Sequence, residues 1–188
     1  MTLLITYLLI ALFVSFLCSI LEAVLLSSTP SYIETLSKKD NEGNENGIKL
    51  LKELKANIDK PISSILTLNT FAHTMGAAGV GAQAQILFGT EWQALIAFIL
   101  TLLILYTSEI IPKTIGAIYW KNLLIPSAYL ISIMIKITYP LVWFSSFITN
   151  YISKGKKDEI NFSREEVMAV VNMGKKEGSI HSKESVLI

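Results

Sequence analysis

Glu109 lies within a long, largely apolar run from Trp92 to Ile118, and Pro112 follows it three residues later. A carboxylate at bilayer depth is costly, and where one occurs it faces a pathway or a partner. Proline has no backbone N–H, and its ring collides with the carbonyl four residues back, here that of Ser108. The Ser108 carbonyl is therefore expected to lose its helical partner beside the Glu109 side chain. A carboxylate, a hydroxyl and a freed carbonyl gathered at one point are the oxygens that hard cations prefer.

Other apolar stretches carry polar residues at helical spacing. Ser15, Ser19 and Glu22 share one helix face, and Asn69 and His73, four apart, share another. Each also has a purely structural reading. Ser19 can bond back to its own helix, and Asn69 can hold two helices together. His73 can be a neutral hydrogen-bonding residue, since imidazole suits transition metals better than hard cations. Glu22 can snorkel or pair with a lysine. Glu109 and Lys113 are four apart with the acid first, the favoured order for an intrahelical ion pair. No phosphate loop, Cys/His cluster or nucleophile with a plausible base stands out. His181 is remote from all of these residues, so no enzymatic activity is expected.

The elements that must position these residues are membrane-spanning helices. Apolar residues make up 52% of the chain and charged ones 16%, with a mean hydropathy of +0.51. A span needs about 20 apolar residues. The expected fold is all-α, with spans at about 3–28, 62–88 and 92–118. The first stretch lacks the basic start and short apolar core of a signal peptide. The single cysteine, Cys18, permits no intrachain disulfide and reads as a packing residue. A net charge of +1 gives no ground to expect a nucleic-acid partner.

Six lysines from Lys38 to Lys60 lie between the first two spans, none lies between Gly79 and Gln93, and Lys113 and Lys121 follow the third. The positive-inside rule then puts the N-terminus outside and the C-terminus in the cytoplasm. The stretch 123–152 is interrupted by Pro126, Lys136 and Pro140. It reads as a broken helix forming a juxtamembrane belt in preference to a fourth span, with Trp143 and tyrosines as anchors. Between the first two spans, Thr29, Pro30 and a Ser31/Glu34 capping box open a helix. After a polar loop at 40–47, Ile48, Leu51 and Leu54 mark an amphipathic surface helix. Residues 1–152 form the expected membrane domain. Residues 153–188, with a second capping box at Ser163/Glu166, look like the start of a cytosolic acidic helical bundle whose continuation is missing.

Together these segments resemble the CNNM/CorC family of magnesium transporters. Ser108-Glu109-Ile110-Ile111-Pro112-Lys113-Thr114 is similar to the family's G-E-I-I-P-K-T signature. The run from Ser19 through Glu22 to Ser27 is similar to its S-G-S-E-T-A-L-F-S, and Leu68-Asn69-Thr70 to its second span. The resemblance implies three spans with a juxtamembrane belt, a homodimer, and a pair of nucleotide-binding CBS domains beyond this chain, so no ATP site here. It also implies sodium-coupled Mg²⁺ export, with Na⁺ as counter-ion, from the cell membrane. Its cation site maps onto Ser19, Asn69, His73 and Glu109, with Glu22, Ser108, Pro112 and Lys113 in support. Many bacterial members carry a hemolysin-like label, for which no residue here supplies the chemistry. The alternative is a non-transporting membrane anchor or Mg²⁺-sensing scaffold. Ile20, Leu21 and Ser108 depart from the family pattern, and His73 stands where an oxygen ligand is more usual, which brings a softer divalent metal into consideration.

Overall fold

The computed structural model describes residues 1–39 and 44–152, so the expected bundle at 153–188 lies outside the described residues. Seven α-helices occur among the described residues: α1 (Thr2–Ser27), α2 (Pro30–Lys39), α3 (Glu45–Ala56), α4 (Asp59–Phe88), α5 (Gln93–Ile104), α6 (Ile111–Ile118) and α7 (Trp120–Ile152). A 3₁₀ turn at Thr90–Trp92 leads into α5, and a π-helical turn at Leu105–Ile110 joins α5 to α6. No strand occurs among the described residues.

Among the described residues, three stretches are long and apolar enough to cross a bilayer: Thr2–Ser27, Thr90–Ile118 and Trp120–Leu141. This set differs from the expected one. The helix α4 has 30 residues, or about 45 Å at 1.5 Å per residue. Asn69, His73 and its Gly/Ala-rich second half lower its apolarity. It nonetheless runs antiparallel along α1, with Gly79 against Tyr7, Gly76 against Ala11 and His73 against Ser15. Both close glycine contacts exist because glycine has no side chain to hold the backbones apart.

The apolar core sits at the end of the bundle where α1 meets α2 and α3. Leu21 and Leu25 of α1, Ile33 of α2, Leu51 and Leu54 of α3, Ile65 of α4 and Leu124, Ala128 and Ile131 of α7 pack there as one buried cluster. Helix α3 is amphipathic as expected, but its apolar face is buried against protein: Ile48, Leu51 and Leu54 are all buried. Gly47, expected in a loop, lies inside α3 under Ile125 of α7.

The other local differences have simple causes. Thr29 Oγ1 accepts the Tyr32 N–H at 3.3 Å, so Thr29 caps α2 with Pro30 in its first turn. Ser31 is therefore inside the helix, and Glu34 pairs with Lys52 of α3 at 3.1 Å instead of closing a capping box. The helix α7 is continuous through Pro126 and Pro140, not broken. Its first half is held to the α2–α3 end by the Leu124/Ala128/Ile131 stripe. The edge-to-face Tyr32–Trp120 pair, with ring centroids 4.8 Å apart, adds to that hold.

Candidate cation site

Three helices converge near the middle of α1. Ser15 and Ser19 face inward because they are four residues apart, and both are fully buried. In the antiparallel register set by Gly79/Tyr7 and Gly76/Ala11, Ser15 meets His73 and Ser19 lies at the level of Asn69. The third span runs parallel to α1, since Ser15 meets Ser108 while Ile20 and Ala23 meet Gly116 further on.

His73 is the hinge of the cluster. Its Nε2 lies 2.5 Å from Ser15 Oγ, and its Nδ1 lies 3.6 Å from Glu109 Oε1. One imidazole thus spans the two neighbours, with Nε2 on the Ser15 side and Nδ1 on the Glu109 side. Ser15 Oγ also lies 3.5 Å from the Ser108 carbonyl, a longer and weaker contact. The side chains of His73 and Glu109 remain 24% and 33% exposed, so the cluster is open to whatever fills the space beside it.

Pro112 acts differently from expectation. The helix does not break at it. Ile111 donates its N–H to the Tyr106 carbonyl, five residues back, and this π register absorbs the proline, which sits in the first turn of α6. In that register the amide missing at Pro112 belonged to Thr107, whereas a four-residue register would have assigned it to Ser108. The Ser108 carbonyl has the Ser15 hydroxyl near it, and the Ser108 hydroxyl donates to the Ile104 carbonyl at 2.8 Å.

Lys113 does not pair with Glu109. Its ammonium lies 3.2 Å from Glu22 Oε2, which ties α6 to α1. That oxygen has no partner at hydrogen-bonding angles, so the contact is an ion pair without a well-aligned hydrogen bond. Two further buried oxygens have no partner: Ser19 Oγ and Asn69 Oδ1. Buried polar atoms are normally paired, so two orphaned oxygens at one level, from facing helices, fit a cation ligated by oxygen. No group of three or more His, Cys, Asp or Glu able to hold a metal occurs among the described residues. Hydroxyl, amide and backbone oxygens would have to complete any shell around Glu109.

Ser15 is the residue that sequence reasoning undervalued. Ser15 and Ser19 are on the same face one turn apart, and only the register against α4 decides which of them meets His73. The Ser15–His73–Glu109 line also has the order of a hydrolytic triad, which the sequence did not suggest. Ser15, however, is fully buried in mid-helix, where backbone N–H groups are spent on the helix itself and offer no oxyanion donors.

A helical membrane domain with a polar cluster between three helices is thus the class that fold and site define. The description "Cyclin M transmembrane N-terminal domain" matches residues 4–184, and the chain belongs to that family. It is 31% identical over 172 residues to the UPF0053 protein sll1254 of Synechocystis sp., covering 92% of this chain and 48% of that protein. It is 29% identical over 156 residues to a UPF0053 protein of Haemophilus influenzae, covering 80% and 36%. It is 27% identical over 152 residues to the UPF0053 inner membrane protein YfjD of Escherichia coli, covering 78% and 35%. The chain therefore spans about half the length of the first of these relatives and about a third of the other two.

Proposed function

We propose that this chain is the membrane domain of a divalent-cation transporter with Mg²⁺ as its cargo, working by alternating access. The observation that carries the reading is the pair of orphaned oxygens, Ser19 Oγ and Asn69 Oδ1, with Asn69 one helical turn from His73, whose ring faces the Glu109 carboxylate. Mg²⁺ holds its waters tightly and accepts protein oxygens at about 2.0–2.1 Å in octahedral geometry. Glu109 would supply charge, Asn69 and Ser19 neutral oxygens, and the π-helical turn a carbonyl from Thr107 or Ser108. His73 then positions Glu109 more than it ligates, because its Nε2 is already engaged by Ser15. A metal that uses His73 as a nitrogen ligand would be softer than Mg²⁺.

The lysine pattern supports an orientation with the α2–α3 end in the cytoplasm and the N-terminus outside. The packing of the first half of α7 against that end supports a juxtamembrane belt. The relative described as an inner membrane protein supports the cell membrane as its location. Export in exchange for Na⁺, action as a homodimer, and control by a CBS pair elsewhere in the full protein complete the proposal.

Mg²⁺ efflux from vesicles containing the purified domain tests it. Glu109→Gln keeps shape and hydrogen bonding but removes the charge. Efflux should fall to the rate of protein-free vesicles. Efflux at the wild-type rate would remove Glu109 from the mechanism and favour a non-transporting scaffold.

A further inference from the structure

On the cation-site reading above, we infer that Ser15 determines which metal the site takes. It holds the His73 ring by Nε2, keeps nitrogen out of the cation's shell and so reserves the site for Mg²⁺ over transition metals. Ser15 is fully buried on the inward face of α1, and its Oγ lies 2.5 Å from His73 Nε2. Either partner can supply the proton. If Nε2 accepts, its lone pair is spent on the hydroxyl, and if it donates, it carries a hydrogen. In both cases Nε2 has nothing left for a metal.

Two levels of the same two helices are used differently. Ser15 and Ser19 are one turn apart on α1, and His73 and Asn69 are one turn apart on α4. At one level the serine and the histidine engage each other. At the next, Ser19 Oγ and Asn69 Oδ1 are both buried and both without a partner. One helical turn is about 5.4 Å, more than twice a metal–ligand bond of about 2.0–2.2 Å. A ring pinned at the Ser15 level therefore stands off from a cation held by Ser19 and Asn69. Its other nitrogen, Nδ1, faces Glu109 Oε1 at 3.6 Å, on the side of the carboxylate that supplies the charge.

The chemistry of the ring gives this hold its consequence. Imidazole suits Zn²⁺ and other transition metals, whereas carboxylate, carbonyl and water suit Mg²⁺. The His73 side chain is 24% exposed and stands beside a carboxylate. A ring free to turn there would be a nitrogen ligand next to an anionic oxygen, and the site would take a softer ion. Ser15 is thus a positioning residue: it acts on the metal through His73 without touching it.

Calorimetric titration of the purified chain with Zn²⁺ and with Mg²⁺ reads the ratio of the two affinities. The background is Cys18→Ala with His181→Gln, which removes the lone thiol and the second histidine. Ser15→Ala should move the ratio toward Zn²⁺ by about tenfold or more, the scale on which partners of a metal-ligating side chain act. Ser15→Ala with His73→Gln should return the ratio to that of the background protein. An unchanged ratio in Ser15→Ala, including an equal loss of both metals, would reduce Ser15 to packing and overturn the inference. So would a shifted ratio that persists without His73.

A second readout follows the ring itself. In ¹⁵N-histidine-labelled protein, Zn²⁺ should give His73 the ring-nitrogen shift of a coordinated imidazole in Ser15→Ala and not in the background protein. That shift with Ser15 intact would make the ring a ligand already and overturn the inference. Failure of the cation-site reading is read separately, by absence of Mg²⁺ binding in the background protein or by Mg²⁺ binding that Glu109→Gln leaves unaltered, and the role of Ser15 falls with it.

Discussion

At Gly76 and Gly116 a methyl group has no room, while at Gly81 it would touch nothing. These glycines stand on the same helical bundle and would look alike in a sequence. Gly76 lies against Ala11, and Gly116 lies against Ala23 and the Ile20 carbonyl oxygen, so these sites weld helices together. Gly81 faces a cleft. The difference follows from what lies opposite. On one side is α1, held by a core that draws on α1, α2, α3, α4 and α7. On the other is α5, whose flanks are exposed along its length. Residues of one type therefore make a packed seam on the α1 side and line an unfilled groove on the α5 side.

Four experiments would break or sharpen that contrast. The largest effect is expected in the end core. Leu51→Ala removes a fully buried side chain and should cost about 2–5 kcal/mol, read as a lower unfolding midpoint of the detergent-solubilised domain. Phe98→Ala on α5 should change it by no more than ~0.5 kcal/mol. Next, Gly116→Val should destabilise by about 1–3 kcal/mol through overpacking. Gly81→Ala should leave the midpoint unchanged, and a loss at Gly81 equal to that at Gly116 would mean the cleft is closed in the folded protein. A smaller effect, about 1 kcal/mol, is expected from Lys113→Met, which leaves Glu22 without its partner. Glu22→Gln combined with Lys113→Met should recover part of that loss.

The smallest effect concerns Lys55 on α3, whose ammonium is held below its ordinary pKa by burial. A lowered lysine pKa means the fold disfavours the charged form, so the stability penalty is present at neutral pH and relieved as pH rises through the folded pKa. Lys55→Met should be slightly more stable than the wild type at neutral pH. The gap should narrow in alkaline buffer, and a gap that widens with pH would contradict the assignment.

Much of this arrangement was legible in the chain. The three polar faces, Ser15/Ser19/Glu22, Asn69/His73 and Glu109, follow from helical spacing and from the cost of polar groups in lipid. The antiparallel return of α4 follows from the lysine distribution. Register is what the spacing does not contain. Whether Ser15 or Ser19 meets His73 depends on where Ala11 and Gly76 close on each other, a contact between residues 65 apart in sequence. The same holds for Lys113. Its spacing from Glu109 favours an intrahelical pair, but the π-helical turn shifts the register between them and Glu22 of α1 takes the lysine. The helix α7 misled for a related reason. Two prolines read as breaks, yet packing of its first half against α1, α2 and α3 keeps the helix continuous.

Calorimetric titration of the purified domain with Mg²⁺ bears most directly on the proposed cation site. The wild type should bind, Ser19→Ala and Asn69→Ala should each bind more weakly, and Glu109→Gln should show no heat of binding. Unaltered Mg²⁺ binding in all three variants, or none in the wild type, would contradict a cation site at this position.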